Sequence, residues 1–506
     1  MQSTKHHPTT RLMQTTDASK PFTKDLKDLF ATLMVSLKLG LNRVRFSRVD
    51  YSFTIEQAIA NLGSLKFTQS ARMPDPKNPS RIITTTSTTT FSMGKEMARR
   101  LLTDFVQARF MEPLNGTVGH LSRNTVCQLT PKGIALLQIF CNRNGITAPH
   151  VMRVLKSSRN RVTLLSLERD VETDRVVTDR PTVEVIFRRF AGTDRPKIRP
   201  ASSDSDSIKG SESHDGIVGV KFSRDTGLDG KKYTYTFHGR SAVDWLMDSC
   251  TTIDEREAHL ICKEFIECGL ITRIQHEERF NNPASGATTG FFQPTSQSIY
   301  TFTDRGLKVC GWAVASDKNS EEEKANSMIG VSFCGADVSN KARLDYILAD
   351  PSLRLQFGEF LCASFCEENL SFYRDVSDFV NKYNGLKASG ELQKKSKTQE
   401  FLATAYGLYN AFLAPGSPCE LNIDHSLRNR LASKMTNIGA DEEKFSHHLS
   451  DVVDLLELAQ AAVFKLMACD SVPKFFRMPK YAAVLQEHEF DTISVSRSSS
   501  PSGASK

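Results

Sequence analysis

The residue types that most often do chemistry are present in this chain, but not at spacings that would let them do it. Its 506 residues contain no GxxxxGK[ST] phosphate loop, no HExxH zinc helix, no GxSxG nucleophile elbow and no set of kinase motifs. The eleven cysteines are scattered, odd in number and never paired as CxxC with metal-site spacing. Cys362 and Cys366 fall four apart on a predicted helix; two thiols cannot hold a metal alone, and packing as small hydrophobes is the expectation. His447 and His448 are adjacent, so they leave a helix on different sides and are expected as a solvated pair. What remains is a group of polar residues at predicted helix joints and loops: Glu368, Asn369, Asn422, Asp424, Asp470 and Ser471. Local readings exist for these. Asn422 can satisfy its own loop backbone, Asp424 can cap a helix, and Asp470 or Ser471 can cap one beginning at Pro473. Whatever this part of the chain does, it does through its surface and loops.

The elements that must hold those loops are helices. Asp350 is an N-cap with Pro351 in the first helical position, where its missing N–H costs nothing. Leu353, Phe357, Phe360, Leu361 and Phe365 then form one apolar stripe, and Phe372, Val376, Phe379, Val380 and Tyr383 a second, with Glu368 and Asn369 at the joint. A long helix through Phe401, Tyr406, Tyr409 and Phe412 stops at Pro415–Pro418. Asp424 caps the next, which carries Leu427, Leu431 and Met435. The last runs from Phe445 to Ala468 with Val452, Leu455, Leu456, Ala459, Val463, Leu466 and Met467 inward, and Pro473 predicts a break. Residues 341–490 therefore read as an all-α bundle.

The first two-thirds of the chain contain two copies of one plan. FTIEQAIANL from Phe53 matches FHGRSAVDWL from Phe237, ARRLLTDFVQARF from Ala98 matches AHLICKEFIECGL from Ala258, and LTPKGI from Leu129 matches FTDRGL from Phe302, in the same order. Helical spacing of Leu101, Leu102 and Phe105, and of Ile261, Phe265 and Ile266, defines a helix in each copy. A short β-like piece (126–130; 298–303) then ends at a polar turn containing Gly133 or Gly306. Each copy is expected to be a compact α+β, winged-helix-like unit, with Trp245 a core aromatic. Polar stretches at 74–90, 200–216 and from Ser494 offer too little apolar surface to offset the entropy of ordering. The expected organisation is a disordered 1–20, a first module over 21–150, a partly ordered linker over 151–215 and a second module over 216–316. A short linker over 317–340, the bundle over 341–490 and a Ser-rich tail over 491–506 complete it.

The net charge of +7 divides into +9 over residues 1–340 and −3 over 341–490. The N-terminal excess is mild, suits weak attraction to an anionic membrane surface, and has no dense basic stripe of the kind a nucleic-acid groove needs. No apolar run approaches the ~20 residues of a spanning helix. Phe30 to Leu41 is broken by Lys38, and the opening MQSTKHHPTT lacks the apolar centre of a secretory signal. A soluble, cytoplasmic protein is the expectation.

Two resemblances sharpen this. FHGRSAVDWLMD from Phe237, FIECGLI from Phe265 and YTFTDRG from Tyr300 together resemble a DEP domain, and the first copy resembles a degenerate DEP of the fungal developmental-regulator type. The bundle resembles the regulator-of-G-protein-signalling (RGS) domain over about 140 residues, through FLCASFCEENLSFY from Phe360, ELNIDH from Glu420 and FKLMACDSVPKFFR from Phe464. The RGS resemblance implies a GTPase-activating protein for a heterotrimeric G-protein α subunit, with no catalytic group or cofactor of its own; GTP and Mg²⁺ belong to the partner. Gα already holds its catalytic arginine, glutamine and metal, so stabilising its switch loops in the transition-state shape suffices. A neutral carboxamide, both donor and acceptor, suits that task. By the resemblance Asn422 and Asn369 are the transition-state-stabilising residues. Phe365, Cys366, Glu368, Asp424, Leu466, Asp470, Ser471 and Lys474 complete the Gα-binding surface. Cys366 and Lys474 depart from the commoner serine and arginine, and lysine loses the bidentate fork. Retuned Gα choice is the expectation there.

Tandem DEP-like modules followed by RGS resemble the fungal regulators that desensitise pheromone and growth signalling. The resemblance implies recruitment to the plasma membrane through a receptor tail or anionic lipid. With no room for a Gγ-like helix pair before residue 341, no obligate Gβ partner is expected. The competing readings are a Gα-binding scaffold or effector without acceleration, and winged-helix DNA readers, which the absence of a clustered basic helix face disfavours.

Overall fold

A computed structural model describes residues 20–312 and 339–481, except 76–77, 116–120, 193–218, 227–229, 276–290, 394, 438–444 and 480, together with residues 16 and 485. The polar stretch 200–216, the tail and nearly all of 1–20 and 317–340 lie outside the described residues. In the main, the chain divides into an N-terminal unit ending at Val314 and a C-terminal unit beginning at Ala315.

The two copies in the N-terminal unit have one topology. The first runs α1 (Thr23–Ser36), β1 (Gly40–Val44), β2 (Ser47–Thr54), α2 (Ile55–Leu62), a ribbon of β3 (Leu65–Asp75) and β4 (Asn78–Phe91), α3 (Lys95–Gln107), β5 (Met111–Pro113), β6 (Val126–Leu129), α4 (Pro131–Asn144) and α5 (Pro149–Leu155). The second runs α6 (Arg180–Ala191), β7 (Ser223–Thr226), β8 (Lys232–His238), α7 (Gly239–Ser249), α8 (Glu255–Glu267), β9 (Ile271–Gln275), β10 (Ile299–Phe302) and α9 (Asp304–Val309). The sheets pair as β1-β2-β6-β5 and β7-β8-β10-β9, the same order with every pairing antiparallel. Aligned residues occupy aligned places: Ala58, Ala242, Ala98, Ala258, Phe105 and Phe265 are all fully buried.

The closest correspondence falls where the sequence reading needs correcting. Gly133 and Gly306 do not sit in turns but in the first turns of α4 and α9. There a Cβ would lie 1.9 Å from the Phe110 carbonyl oxygen and 2.2 Å from that of Leu270, so only glycine lets helix and strand end approach this closely. Thr130 and Thr303 cap them alike. Each hydroxyl donates at 2.6 Å, to Arg109 and Gly269 respectively, and accepts the glycine N–H at 3.0 Å. The stretch 74–90, expected as unstructured, falls largely in the β3–β4 ribbon. Its threonines favour strand.

The segment 151–215 holds α6, which completes the core of the second module. Phe187 and Phe190 reach Phe265 at 5.1 and 5.3 Å between ring centres, and Trp245 packs edge-on to Phe190 at 5.4 Å, in the core as expected. The modules are also tied to each other. In the segment between them, Leu165 bridges to Cys250 of the second module in parallel fashion, and Arg169 donates to both carboxylate oxygens of Glu257 at 2.7 and 2.8 Å. Arg109 pairs with Asp248 at 2.9 Å and with Asp244 at 2.5 Å. Lys132 is fully buried, beside the Phe110 ring, and its ammonium donates to the Met247 and Thr252 carbonyls at 2.7 and 2.6 Å. These carbonyls lie at and just beyond the C-terminal end of α7, where the helix dipole favours a cation.

The C-terminal unit is the expected bundle: α10 (Asn340–Ala349), α11 (Pro351–Ala363), α12 (Glu367–Ala388), a short 3₁₀ turn at Glu391–Gln393, α13 (Lys395–Leu408), α14 (His425–Asn437), α15 (Phe445–Leu466) and α16 (Val472–Arg477). Asp350 caps α11 by accepting the Leu353 N–H at 2.9 Å. Two π-helical turns interrupt the regular helices, Tyr409–Leu413 after α13 and Met467–Ser471 before α16. Pro473 therefore breaks nothing. It enters at the start of α16, where the widened turn already lacks the ordinary hydrogen bond that proline would remove.

Burial moves the Lys132 amine from its ordinary 10.5 down to about 7. Between about pH 7 and 10.5 the unfolded chain keeps a proton that the folded chain has released, so folding gains as pH rises through that window. Against Lys132→Met, the wild type should gain relative stability with rising pH above about 7 and show a constant difference below it. Urea unfolding followed by the fluorescence of Trp245 and Trp312 reads this. A pH-independent difference would mean that the amine titrates normally.

Candidate functional site

Three segments of the bundle carry the ten residues singled out from the sequence, and each is fixed by a different local device. The first is the turn from α11 into α12. Phe365 does not continue the apolar stripe of α11; the chain leaves the helix at Ser364, and Phe365 adopts φ 55° with its side chain 88% exposed. A bulky residue is strained in that conformation. The Cys366 N–H closes the turn onto Leu361 O at 2.9 Å. Cys366 is half-buried, its thiol donating to Ser364 O at 3.2 Å, while Cys362 is exposed, so the expected packing role fails for Cys362. Burial, with Glu368 nearby, pushes the Cys366 thiol up from its ordinary value.

Glu368 and Asn369 lie in the first turn of α12, just past the joint. Asn369 is buried, and its amide nitrogen donates to Cys366 O at 3.2 Å and Glu368 Oε1 at 3.1 Å. Both partners are acceptors, which fixes the orientation of the carboxamide. Its oxygen accepts no hydrogen bond from the described residues. Partial burial raises the Glu368 carboxyl above the usual range.

The second segment follows the π turn at Tyr409–Leu413. Phe372 of α12 packs on Phe412 at 5.4 Å, and Leu421 N donates back to Phe412 O at 2.9 Å. Arg428 pairs with Glu420 and donates to Leu421 O at 2.7 Å, while Gly416 N donates to Glu420 Oε2 at 3.0 Å. With Leu421 and Ile423 buried on either side, Asn422 is held outward and exposed. Its side chain makes no hydrogen bond with the described residues, so it does not satisfy its own loop. Asp424 does cap α14, accepting from Ser426 and Leu427 at 2.9 and 3.2 Å.

The third segment is the π turn Met467–Ser471 and α16. Asp470 and Lys474 are exposed and paired at 2.7 Å, worth a few tenths of a kcal/mol at this spacing. Ser471 is buried and helical and caps nothing; Leu466 is half-buried. The helix is fixed by Phe475, which packs on Phe357 at 5.3 Å and Phe360 at 5.6 Å.

The Phe360–Phe475 and Phe372–Phe412 contacts bring the three segments together. The result is one face with a protruding ring, an acceptor at Asn369, an unengaged carboxamide at Asn422 and a rim of charges. Sequence reasoning did not find the residues that position this face: Phe475, Arg428 and Glu420. The only signal for Arg428 and Glu420 was their eight-residue separation across a loop. Among the described residues no group of three or more His, Cys, Asp or Glu could hold a metal ion, and no helix is long and apolar enough to cross a membrane.

Three stretches of the chain match known protein families. Residues 25–157 match the fungal-differentiation regulator winged helix domain, 219–302 the DEP domain, and 343–484 the regulator of G protein signaling domain. The first module is thus matched by a winged-helix family of its own, and the expected tandem of two DEP domains becomes one DEP domain preceded by that module. The shared topology accounts for the likeness between the copies. Developmental regulator flbA of Emericella nidulans is 54% identical over 490 residues, which are 96% of this chain and 67% of that protein. Regulator of G-protein signaling 1 of Schizosaccharomyces pombe is 28% identical over 484 residues, 94% of this chain and 92% of its own. Human Regulator of G-protein signaling 7 is 29% identical over 157 residues, 31% of this chain and 26% of its own.

The geometry separates residues that serve the fold from residues that burden it. Phe365→Gly should leave the bundle as stable or more so, by about 0.5–1 kcal/mol, because glycine accepts the left-handed backbone and no buried surface is lost. Asn369→Ala should cost about 1–2 kcal/mol through its two hydrogen bonds. Thermal unfolding of the full chain by circular dichroism distinguishes the two.

Proposed function

The chain belongs to the family of regulators of G-protein signalling, and we propose that its bundle is a GTPase-activating surface for a heterotrimeric G-protein α subunit. The observation that carries this reading is the Asn422 side chain, pinned outward between two buried neighbours with its hydrogen-bonding capacity unspent among the described residues. A surface that does no chemistry of its own can accelerate hydrolysis by another protein only if it holds that protein's groups in their transition-state positions. A preset carboxamide does this without reorganising at the moment of reaction.

In this reading Asn422 reaches the switch segment that orients the attacking water. The Asn369 oxygen accepts from the backbone of a neighbouring switch, beside Glu368, Phe365 and Cys366. Asp470 and Lys474, already paired with each other, exchange part of that pairing for Gα charges. Leu466, Ser471 and Asp424 support the contact, Asp424 also capping α14. The protein supplies no cofactor; the nucleotide and its Mg²⁺ stay with Gα. The winged-helix and DEP modules bring the bundle to its substrate, at a receptor tail or an anionic membrane surface on the cytoplasmic side of the plasma membrane.

Single-turnover GTP hydrolysis by purified Gα with and without the full chain tests the activity. The expected result is acceleration that Asn422→Ala reduces at least tenfold, about 1.4 kcal/mol of barrier. Binding to the GDP–AlF₄⁻ form of Gα should exceed binding to the GDP form. Selective binding without acceleration would instead make the protein a scaffold or effector. Phe365→Gly should weaken Gα binding although the bundle itself is not destabilised.

A further inference from the structure

The β1–β2 hairpin of the winged-helix module is built in a way its own fold does not reward. Its strands pair Arg43 directly opposite Arg48, and Val44 opposite Ser47 closes a turn made of Arg45 and Phe46. Like charges directly opposite one another weaken an antiparallel pair. None of Arg43, Arg45 and Arg48 has a carboxylate partner among the described residues. Arg45 adopts φ 54°, a conformation that favours glycine, and Phe46 at the tip is fully exposed. Between Leu41 and Asp50 no residue is buried.

The base of the hairpin is by contrast carefully fixed. A bulge places Tyr51 at φ 54° and shifts the register between Gly40 and Asn42. The Ser52 hydroxyl donates to Val49 O at 2.8 Å and accepts from Asn42 at 3.0 Å, and Gln128 of β6 donates to Asp50 O at 2.8 Å. Such bulges bend a strand and re-aim what lies beyond it. Here they aim an aromatic tip with three guanidinium groups behind it.

We propose that this hairpin docks on an anionic lipid surface, Phe46 entering the boundary between headgroups and acyl chains while Arg43, Arg45 and Arg48 meet the lipid phosphates. Charge complementarity relieves the Arg43–Arg48 repulsion, and a membrane boundary accommodates an aromatic ring and cations together. A convex tip offers no groove for an acidic peptide. Nucleic acid fits less well, because α3 mixes Lys95, Arg99 and Arg100 with Glu96 and Asp104, and Arg99 is already paired with Glu96 at 2.6 Å. The inference rests on the reading that the N-terminal modules place the bundle, and it names the element and the surface.

Co-sedimentation of the full chain with phosphatidylcholine vesicles, with and without phosphatidylserine, tests it. Binding should require the anionic lipid and fall as salt rises. Arg48→Gln should weaken it on the order of fivefold and Phe46→Ser about tenfold, with both variants accelerating GTP hydrolysis by soluble Gα as the wild type does. If wild type and both variants bind alike, the hairpin is overturned while membrane placement by the modules stands. If the wild type binds neither vesicle, or binds duplex DNA through these arginines instead, lipid docking itself is overturned, and the GTPase measurement stands apart from either result.

Discussion

The packing of Phe475 against Phe357 and Phe360 is the contact on which the bundle's working face depends. It fastens the last short helix to the helix that ends at the Phe365 turn, so two segments far apart in sequence become one surface. A regular helix would carry side chains round at a fixed angle per residue. The π turn at Met467–Ser471 inserts an extra residue, and it does so where Asp470 and Lys474 must face out while Ser471 and Phe475 face in. The second π turn, at Tyr409–Leu413, launches the loop that presents Asn422. Irregular helical turns thus mark both places where the face is made.

Much of this was legible in the sequence because it depends on near neighbours. Asp350 and Pro351 announce a helix start, and the apolar periodicities of Phe372–Tyr383 and Val452–Met467 announce buried stripes. The rest depends on partners that periodicity does not report. Phe365 sits four residues after Leu361 and extends its stripe in register, yet one left-handed residue turns it into solvent. Gly133 and Gly306 look like turn residues because glycine usually is one; here the missing Cβ serves a close helix–strand approach. Pro473 looks like a stop because a π turn leaves no local signature. The acceptors of Lys132 lie 115 and 120 residues away, beyond the reach of any window along the chain.

The two copies in the N-terminal unit show how one topology supports different surfaces. Thr130 and Thr303, Gly133 and Gly306, and the two buried alanine–phenylalanine sets preserve the same internal contacts. What differs is outside them: the first copy adds the β3–β4 ribbon and carries arginines on β1–β2, where its counterpart is the β7–β8 pair. Core constraints hold the plan constant, and loops and edges are free to diverge.

Lys132 gives the N-terminal unit a history as well as a structure. On the ribosome the first module emerges complete with its lysine, but the carbonyls that receive the ammonium are synthesised more than a hundred residues later. At roughly 10 residues per second, that is on the order of ten seconds in which the amine has no buried place to go. Until then it keeps its proton in water. The buried contacts of Lys132 can therefore close only after Thr252 has been made.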